Sequence, residues 1–206
     1  MRIFFCILVL HVASIIYAQD DQSGFISLDC GSPKGSNYTQ DGINYISDDG
    51  FIEAGETYVL ATQNPSHVYN TLRSFPENKR NCYTLRPQKG KNNRYLIRAT
   101  FLHGNYDSRN QNPQFDLYIG ADHWVTIVIS DPAKSVTHEI IHLTLSDYIY
   151  VCLVYTGYGY PFITSLELRL LDITMYKDQS PASLLLFLRY NYGAYDTVRS
   201  EFLIFL

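Results

Sequence analysis

The sequence has little charge, and after its first eighteen residues it has no long apolar run. Only 17% of the residues are charged and the formal net charge is −4, so the chain lacks the basic surface with which a protein holds a phosphate backbone. Its later apolar runs all fall short of the roughly 20 residues that cross a bilayer. We therefore expect no nucleic-acid partner and no membrane span in this chain.

Catalytic motifs are also missing. The sequence contains no Gly-x-Ser-x-Gly turn, phosphate loop or cysteine-based catalytic signature. One segment, residues 138–142 (HEIIH), matches a pattern in which two histidines bind zinc and a glutamate acts as base. That chemistry needs a helix, where residues four apart lie about 5–6 Å from each other, whereas on a strand they lie about 13 Å apart. The β-branched neighbours favour a strand, so we predict no metal, no cofactor and no enzymatic activity.

The first eighteen residues predict export from the cell. Arg2 precedes an apolar run from Ile3 to Tyr17 that ends at Ala18, and polar residues 19–22 follow. This is the pattern of a signal peptide. A membrane anchor is the weaker alternative, because the apolar run is shorter than a membrane span. We expect the mature protein to be secreted or to lie on the extracellular face of the plasma membrane.

Two features predict covalent modification in an oxidising compartment. Cys6 leaves with the signal peptide, so Cys30, Cys82 and Cys152 form an odd set with three possible pairings. Cys82–Cys152 is the first choice because both lie in strand-like runs, which leaves Cys30 free. The triplet Asn37-Tyr38-Thr39 is an N-glycosylation acceptor in a polar stretch, and we expect a glycan on Asn37 in a surface loop.

The chain is rich in aromatic residues, with 18 tyrosines and 11 phenylalanines, and such residues favour sheets. Short apolar runs of strand length recur between turn signals. They are 25–28, 58–61, 95–102, 115–119, 124–129, 139–145, 149–155 and 162–171. Asp48 and Asp49 before Gly50 predict a turn, and only Ser183 to Leu188 could begin a helix, although a strand fits it equally. Many short strands without helices predict an all-β, antiparallel jelly-roll β-sandwich.

Four segments cover most of the chain in order. They are GFISLDCG (24–31), LRSFPENKRNCYTLRP (72–87), YLIRATFLHGNYDSRNQNPQFDLYIG (95–120) and EIIHLTLSDYIYVCLVYTGYGYPFITSLELRL (139–170). Together they resemble the malectin-like domain of plant leucine-rich-repeat receptor kinases. The resemblance implies a jelly-roll β-sandwich related to animal malectin, which binds oligosaccharide, and a place in the extracellular part of a receptor.

The resemblance also implies a domain organisation. Family members carry two such modules in tandem, followed by a repeat region, a membrane span and a kinase. We expect residues 1–18 to be a signal peptide and 19–180 the first module. Residues 181–206 would be the connection to a missing second module, with an atypical tail at 201–206. The chain then resembles a truncated ectodomain without kinase activity.

The expected function is extracellular recognition of a cell-wall oligosaccharide or of a peptide or co-receptor ectodomain. The alternative is a soluble decoy or structural fragment that contacts the partners of the parent receptor without binding sugar. Aromatic faces and nearby carboxylates on loops suit a sugar ligand, and this points to Tyr106, Asp107, Tyr158 and Tyr160. Packing of these tyrosines over the ends of the sheets is the structural alternative.

Overall fold

The computed structural model describes residues 22, 24–61, 64–172, 174–176 and 183–185. In this part of the chain the regular structure consists of strands and one short 3-10 helix, His67–Tyr69. The strands are β1 (Ile26–Asp29), β2 (Asn37–Gln40), β3 (Ile43–Ser47), β4 (Glu56–Val59), β5 (Thr71–Ser74), β6 (Arg80–Leu85), β7 (Arg94–Phe101), β8 (Gln114–Ile119), β9 (Asp122–Val128), β10 (Val136–Leu143), β11 (Ile149–Tyr158), β12 (Phe162–Ile163), β13 (Ser165–Leu170) and β14 (Leu184–Leu185).

The strands form three sheets. One has seven strands in the order β14-β10-β7-β13-β1-β3-β2, one has four in the order β6-β11-β8-β9, and one has three in the order β12-β5-β4. Neighbouring strands are antiparallel except β1 and β3, where Leu28 lies opposite Ile46 in a parallel pair. The predicted all-β, antiparallel sandwich fold is confirmed, with this one parallel pair as a departure.

The hydrophobic core lies where the three sheets meet. On β7, alternate side chains from Tyr95 to Phe101 are fully buried, as expected for a strand whose residues point to opposite faces in turn. The ring of Phe101 lies 5.6 Å from that of Phe115 on β8 and 6.1 Å from that of Phe162 on β12. One aromatic side chain thus joins the three sheets, and its replacement by alanine would cost about 3–5 kcal/mol.

The other face of the seven-stranded sheet carries a buried charged network. The Arg98 guanidinium lies 2.5 Å from the Glu139 carboxylate on β10 and 3.5 Å from the Glu167 carboxylate on β13. Both glutamates stand directly opposite Arg98 in the strand register. Moving either strand by one residue would turn its charge into the apolar core, so the network specifies the register.

The histidine-rich segment lies on strand β10, as the sequence predicts. Glu139 pairs with Arg98, while His138 and His142 stand opposite Ala99 and Tyr95 and so project from the other face of the sheet. No group of three or more candidate metal-binding side chains occurs among the described residues. The three side chains of the zinc pattern therefore do not converge.

The ambiguous segment that begins at Ser183 is a strand where it is described, since Leu184 and Leu185 pair with β10. The structure joins Cys82 to Cys152, as predicted, and leaves Cys30 as a free, buried thiol. The expected signal peptide and the tail at 201–206 lie outside the described residues. The division of the chain at residue 180 stays a prediction.

Candidate functional site

The segment GFISLDCG and the residues around Arg73 meet in a buried network centred on Asp48. The Asp48 carboxylate accepts two hydrogen bonds from the Arg73 guanidinium, at 2.6 and 2.8 Å. It also accepts one from the Tyr83 hydroxyl at 2.9 Å and one from the Gly31 N–H at 3.2 Å. Asp48 is fully buried. The sequence identified it only as a turn residue, whereas it joins strands of different sheets.

Asp29, in the segment GFISLDCG, is a second buried carboxylate near Asp48. It accepts hydrogen bonds from the Thr71 hydroxyl at 2.7 Å and the Tyr38 hydroxyl at 2.9 Å, and it lies 3.6 Å from His67. Burial raises the pKa of Asp29 to about 6. Its side chain has no exposed surface, so a substrate cannot reach it and its role is structural.

Cys30 lies beside these carboxylates and is also structural. Burial raises the pKa of the Cys30 thiol, and the nearby Asp48 charge raises it further. A thiol must ionise to act as a nucleophile. The buried, protonated thiol is therefore inert, and the network around Asp48 and Asp29 holds the fold together instead of carrying chemistry.

Of the four predicted contact residues, Tyr106 is the most deeply packed. Its ring centre lies 4.7 Å from that of Tyr58, 4.9 Å from that of His103 and 5.9 Å from that of Phe162. Its hydroxyl forms a 2.6 Å hydrogen bond with the Ser74 hydroxyl, and burial raises the pKa of Tyr106 to about 12. These contacts match the alternative in which this tyrosine packs over the end of the sheets.

Arg109 brings Asp107 and Tyr160 together. Its guanidinium lies 3.9 Å from the Asp107 carboxylate and 4.9 Å from the centre of the Tyr160 ring. The backbone N–H of Arg109 also donates a 3.1 Å hydrogen bond to the Asp107 carboxylate. The sequence did not single out Arg109, although a cation two residues after Asp107 in the same loop was the available signal.

Gly159 explains why the two loops meet. It has a φ of +67°, and a Cβ placed there would lie 2.7 Å from the Cβ of Pro113. Only glycine allows both this backbone conformation and this close approach. The loop that carries Tyr160 can therefore lie directly against the loop that carries Tyr106 and Asp107.

Tyr158 stands beside this cluster at the end of β11. It pairs with Gln114 after a shift in strand register, and 66% of its surface is exposed. Within the described part of the chain, no ring contact or hydrogen bond joins it to the other three predicted residues. The structure thus groups Asp107 and Tyr160 around Arg109, packs Tyr106 against other aromatic side chains, and presents Tyr158 separately to solvent. We call Tyr106, Asp107, Arg109, Tyr158 and Tyr160 the loop end.

Comparison with known proteins identifies the family. The profile of the malectin-like domain matches residues 28–202. The chain belongs to the malectin-like domain family. A probable LRR receptor-like serine/threonine-protein kinase from Arabidopsis thaliana is 49% identical over 173 residues, which are 82% of this chain and 20% of that protein. A putative leucine-rich repeat receptor-like protein kinase from the same plant is 41% identical over 196 residues, covering 92% of this chain and 22% of that protein.

Solved malectin-like structures share the fold. The plant receptor-like kinase FER matches with a TM-score of 0.63 and 23% identity over 74% of this chain and 43% of that one. The ANX1 ectodomain from Arabidopsis thaliana matches with a TM-score of 0.62 and 18% identity over 73% of this chain and 42% of that one. The chain spans about a fifth of the length of the kinases that it resembles. Where the chain is described, none of its helices is long and apolar enough to cross a membrane.

Proposed function

We propose that this malectin-like domain is an extracellular recognition module of a receptor-like kinase ectodomain, and that it binds its ligand at the loop end without catalysis. The grouping of Asp107 and Tyr160 around Arg109, with the exposed Tyr158 beside them, supports the proposal. Residues that carry binding and specificity are often found on loops displayed by a rigid sandwich.

A carbohydrate is the first candidate ligand. The exposed ring of Tyr158 offers an apolar face to a pyranose. Arg109 supplies hydrogen-bond donors and Asp107 supplies acceptors for sugar hydroxyls. Because Arg109 already lies over Tyr160, a bound sugar would meet side chains that are held in place, which reduces the entropic cost of binding.

A peptide or co-receptor ectodomain is the second candidate. One structure that shares the fold, with a TM-score of 0.54 and 18% identity over 71% of this chain and 40% of that one, is a plant peptide, RALF23, in complex with FER and LLG2. Tyrosine and arginine are also the residue types that dominate the binding energy of protein interfaces. The same loop end would therefore suit a protein partner.

A glycan array followed by calorimetry on the secreted chain tests the first candidate. A saturable glycan should lose about fivefold in affinity in Tyr158→Ala, as expected for one aromatic contact of about 1 kcal/mol, and at least as much in Arg109→Ala. Tyr176→Ala, which also removes a partly exposed tyrosine, is the matched control and should bind like the parent.

Two results would change the assignment. If a glycan binds and both loop-end variants bind it as tightly as the parent, the loop end is not the site. If no glycan saturates while the ectodomain of a related receptor kinase is bound and the loop-end variants weaken it, the ligand is a protein. Such a result would favour the reading of the chain as a fragment that contacts protein partners without binding sugar.

A further inference from the structure

The disulfide between Cys82 and Cys152 lies on the face of the four-stranded sheet that points away from the hydrophobic core. The two cysteines stand directly opposite each other on β6 and β11, and Cys152 also stands opposite Tyr118 on β8. Leu117 and Ile119, on either side of Tyr118, belong to the core, so Tyr118 and the disulfide project from the other face. On that face a second protein can approach the disulfide.

The two cysteines differ in access. Cys82 is partly exposed and lines a groove of about 540 Å³ between residues 50–54 and β6. Cys152 is buried, with 1% of its surface exposed. Thiol–disulfide exchange begins when a thiolate attacks one sulfur of the disulfide and expels the other. The difference in access makes the Cys82 sulfur the point of attack and the Cys152 sulfur the leaving group.

Arg80 covers the leaving group. It lies two residues before Cys82, on the same face of β6. Its guanidinium lies 4.9 Å from the centre of the Tyr118 ring and donates to the Gly120 carbonyl. Because Tyr118 is the residue opposite Cys152, the Arg80 side chain crosses β11 at the level of Cys152. A cation beside a cysteine favours its thiolate, and a better-stabilised thiolate leaves faster.

Strand β6 has contacts that do not depend on the disulfide. The Tyr83 hydroxyl donates to the Asp48 carboxylate at 2.9 Å, and the Thr84 N–H donates to the Phe51 carbonyl at 2.9 Å. Both contacts hold the second half of the strand. Among the described strands β6 has β11 as its one neighbour in the sheet, and the disulfide secures this pairing in the first half, which begins at Arg80. Cleavage of the disulfide would therefore loosen the first half of β6 and leave the second half in place.

We propose that the Cys82–Cys152 disulfide is a site of thiol–disulfide exchange with a dithiol protein of the thioredoxin class, and that its reduction releases the first half of β6. The attacking thiolate bonds to the Cys82 sulfur, the disulfide breaks, and its electron pair goes to the Cys152 sulfur. The second thiol of the reductant then displaces Cys82 from the mixed disulfide. Both cysteines end as thiols, having taken the two electrons and two protons that the reductant loses as it forms its own disulfide. This site is separate from the loop end and does not depend on the function proposed there.

The probe is thioredoxin, kept reduced by its reductase and NADPH and added to the folded, secreted chain without denaturant. Free thiols are alkylated at successive times and mapped by mass spectrometry. We expect Cys82 and Cys152 to become labelled while the buried thiol of Cys30 stays unlabelled, because the disulfide opens without unfolding of the domain. A thioredoxin variant that lacks its second cysteine cannot complete the exchange, and it should be trapped in a mixed disulfide with Cys82.

On the protein, Arg80→Gln should slow the reduction about threefold or more, because it removes the cation beside the leaving thiolate. Arg86→Gln is the matched control. Arg86 is an exposed arginine directly after β6, and its guanidinium lies 6.0 Å from the centre of the Tyr148 ring. The control variant should therefore be reduced at the rate of the parent.

Three results would overturn the proposal. One is a disulfide that stays intact until Cys30 is labelled as well, because reduction would then require unfolding. Another is a trapped thioredoxin joined to Cys152. The third is an equal rate of reduction in Arg80→Gln and the parent, which would show that Arg80 does not assist the exchange.

Discussion

At the scale of single residues, Gly31 shows why the segment GFISLDCG is built as it is. Gly31 has a φ of +83°, and a Cβ there would lie 2.1 Å from the Leu72 carbonyl oxygen. We expect Gly31→Ala to lower the free energy of unfolding by at least about 3 kcal/mol, from the left-handed backbone and the overpacking together. Urea denaturation followed by tyrosine and tryptophan fluorescence measures the loss.

Gly35 provides a matched control, because its φ is +80° and no atom lies within 4 Å of its added Cβ. Gly35→Ala should lower the free energy of unfolding by only about 1–2 kcal/mol, the cost of a left-handed backbone conformation. Equal losses in the two variants would show that the approach of Gly31 to Leu72 does not matter.

Asp29 makes stability depend on pH. Its pKa rises from 3.8 to about 6 on folding, in a site formed by Thr71, Tyr38, His67 and, farther away, Asp48. Between these two pKa values the folded protein keeps a proton on Asp29 that the unfolded chain has lost. Protonation of Asp29 therefore stabilises the folded state fully below about pH 4, and this stabilisation disappears as the pH rises through 6. The loss is about 3 kcal/mol at 1.36 kcal/mol per pKa unit.

Asp29→Asn removes this titration. We expect the free energy of unfolding of the parent, minus that of the variant, to decrease from about pH 4 to about pH 7. Urea denaturation of both proteins at several pH values measures the difference. A difference that stays constant over this range would show that Asp29 titrates alike in the folded and unfolded chains.

At the scale of elements, the Arg73–Asp48 pair connects β5 to the turn after β3. Arg73→Leu would leave the buried Asp48 carboxylate without its main partner, and we expect a loss of about 3–5 kcal/mol. Replacing both residues by leucine should recover part of this loss, because no buried charge remains. Chemical denaturation measures the free energy of unfolding of the single and the double variant. A double variant less stable than Arg73→Leu would contradict the view that the unpaired Asp48 charge causes the loss.

The Cys82–Cys152 disulfide joins the neighbouring strands β6 and β11 across a sequence separation of 70 residues. A loop of that length restricts the unfolded chain, and its loss should cost about 4 kcal/mol in the chain-entropy model. We expect the Cys82→Ser/Cys152→Ser variant to unfold at a lower urea concentration than Cys30→Ala, which keeps the disulfide. Coincident unfolding curves for these two variants would show that the disulfide does not contribute to stability.

At the scale of the whole molecule, we expect Asn37 to carry a glycan. It is exposed and opens the edge strand β2, whereas the sequence suggested a loop. The Thr39 hydroxyl of the acceptor triplet donates a 2.6 Å hydrogen bond to Asn44. We expect the chain secreted from plant cells to lose the mass of one N-linked glycan on glycosidase treatment, and Asn37→Gln to show no such loss. An unchanged mass in the parent would contradict the prediction.

The local pattern of residues along the chain was enough to predict the class of fold. Each predicted apolar run overlaps a strand, from β1 and β4 through β7 to β13, because alternation of buried and exposed residues is a local property that can be read along the chain. Strands β2, β3 and β5 were not predicted, and β6 was predicted only as the strand-like run around Cys82. Most residues of β2 and β5 are polar, and β5 and β6 pair with β12 and β11, which lie far away in sequence.

In the candidate site, too, some residues could be predicted from the sequence and others only from the tertiary structure. Loop composition was enough to select Tyr106, Asp107, Tyr158 and Tyr160, whereas Arg109 emerged only from the tertiary structure. The meeting of the loops depends on the close approach of Gly159 to Pro113, and the buried network around Asp48 depends on its contact with Arg73. These are contacts between residues distant in sequence, set by packing of the whole chain, and no local pattern encodes them.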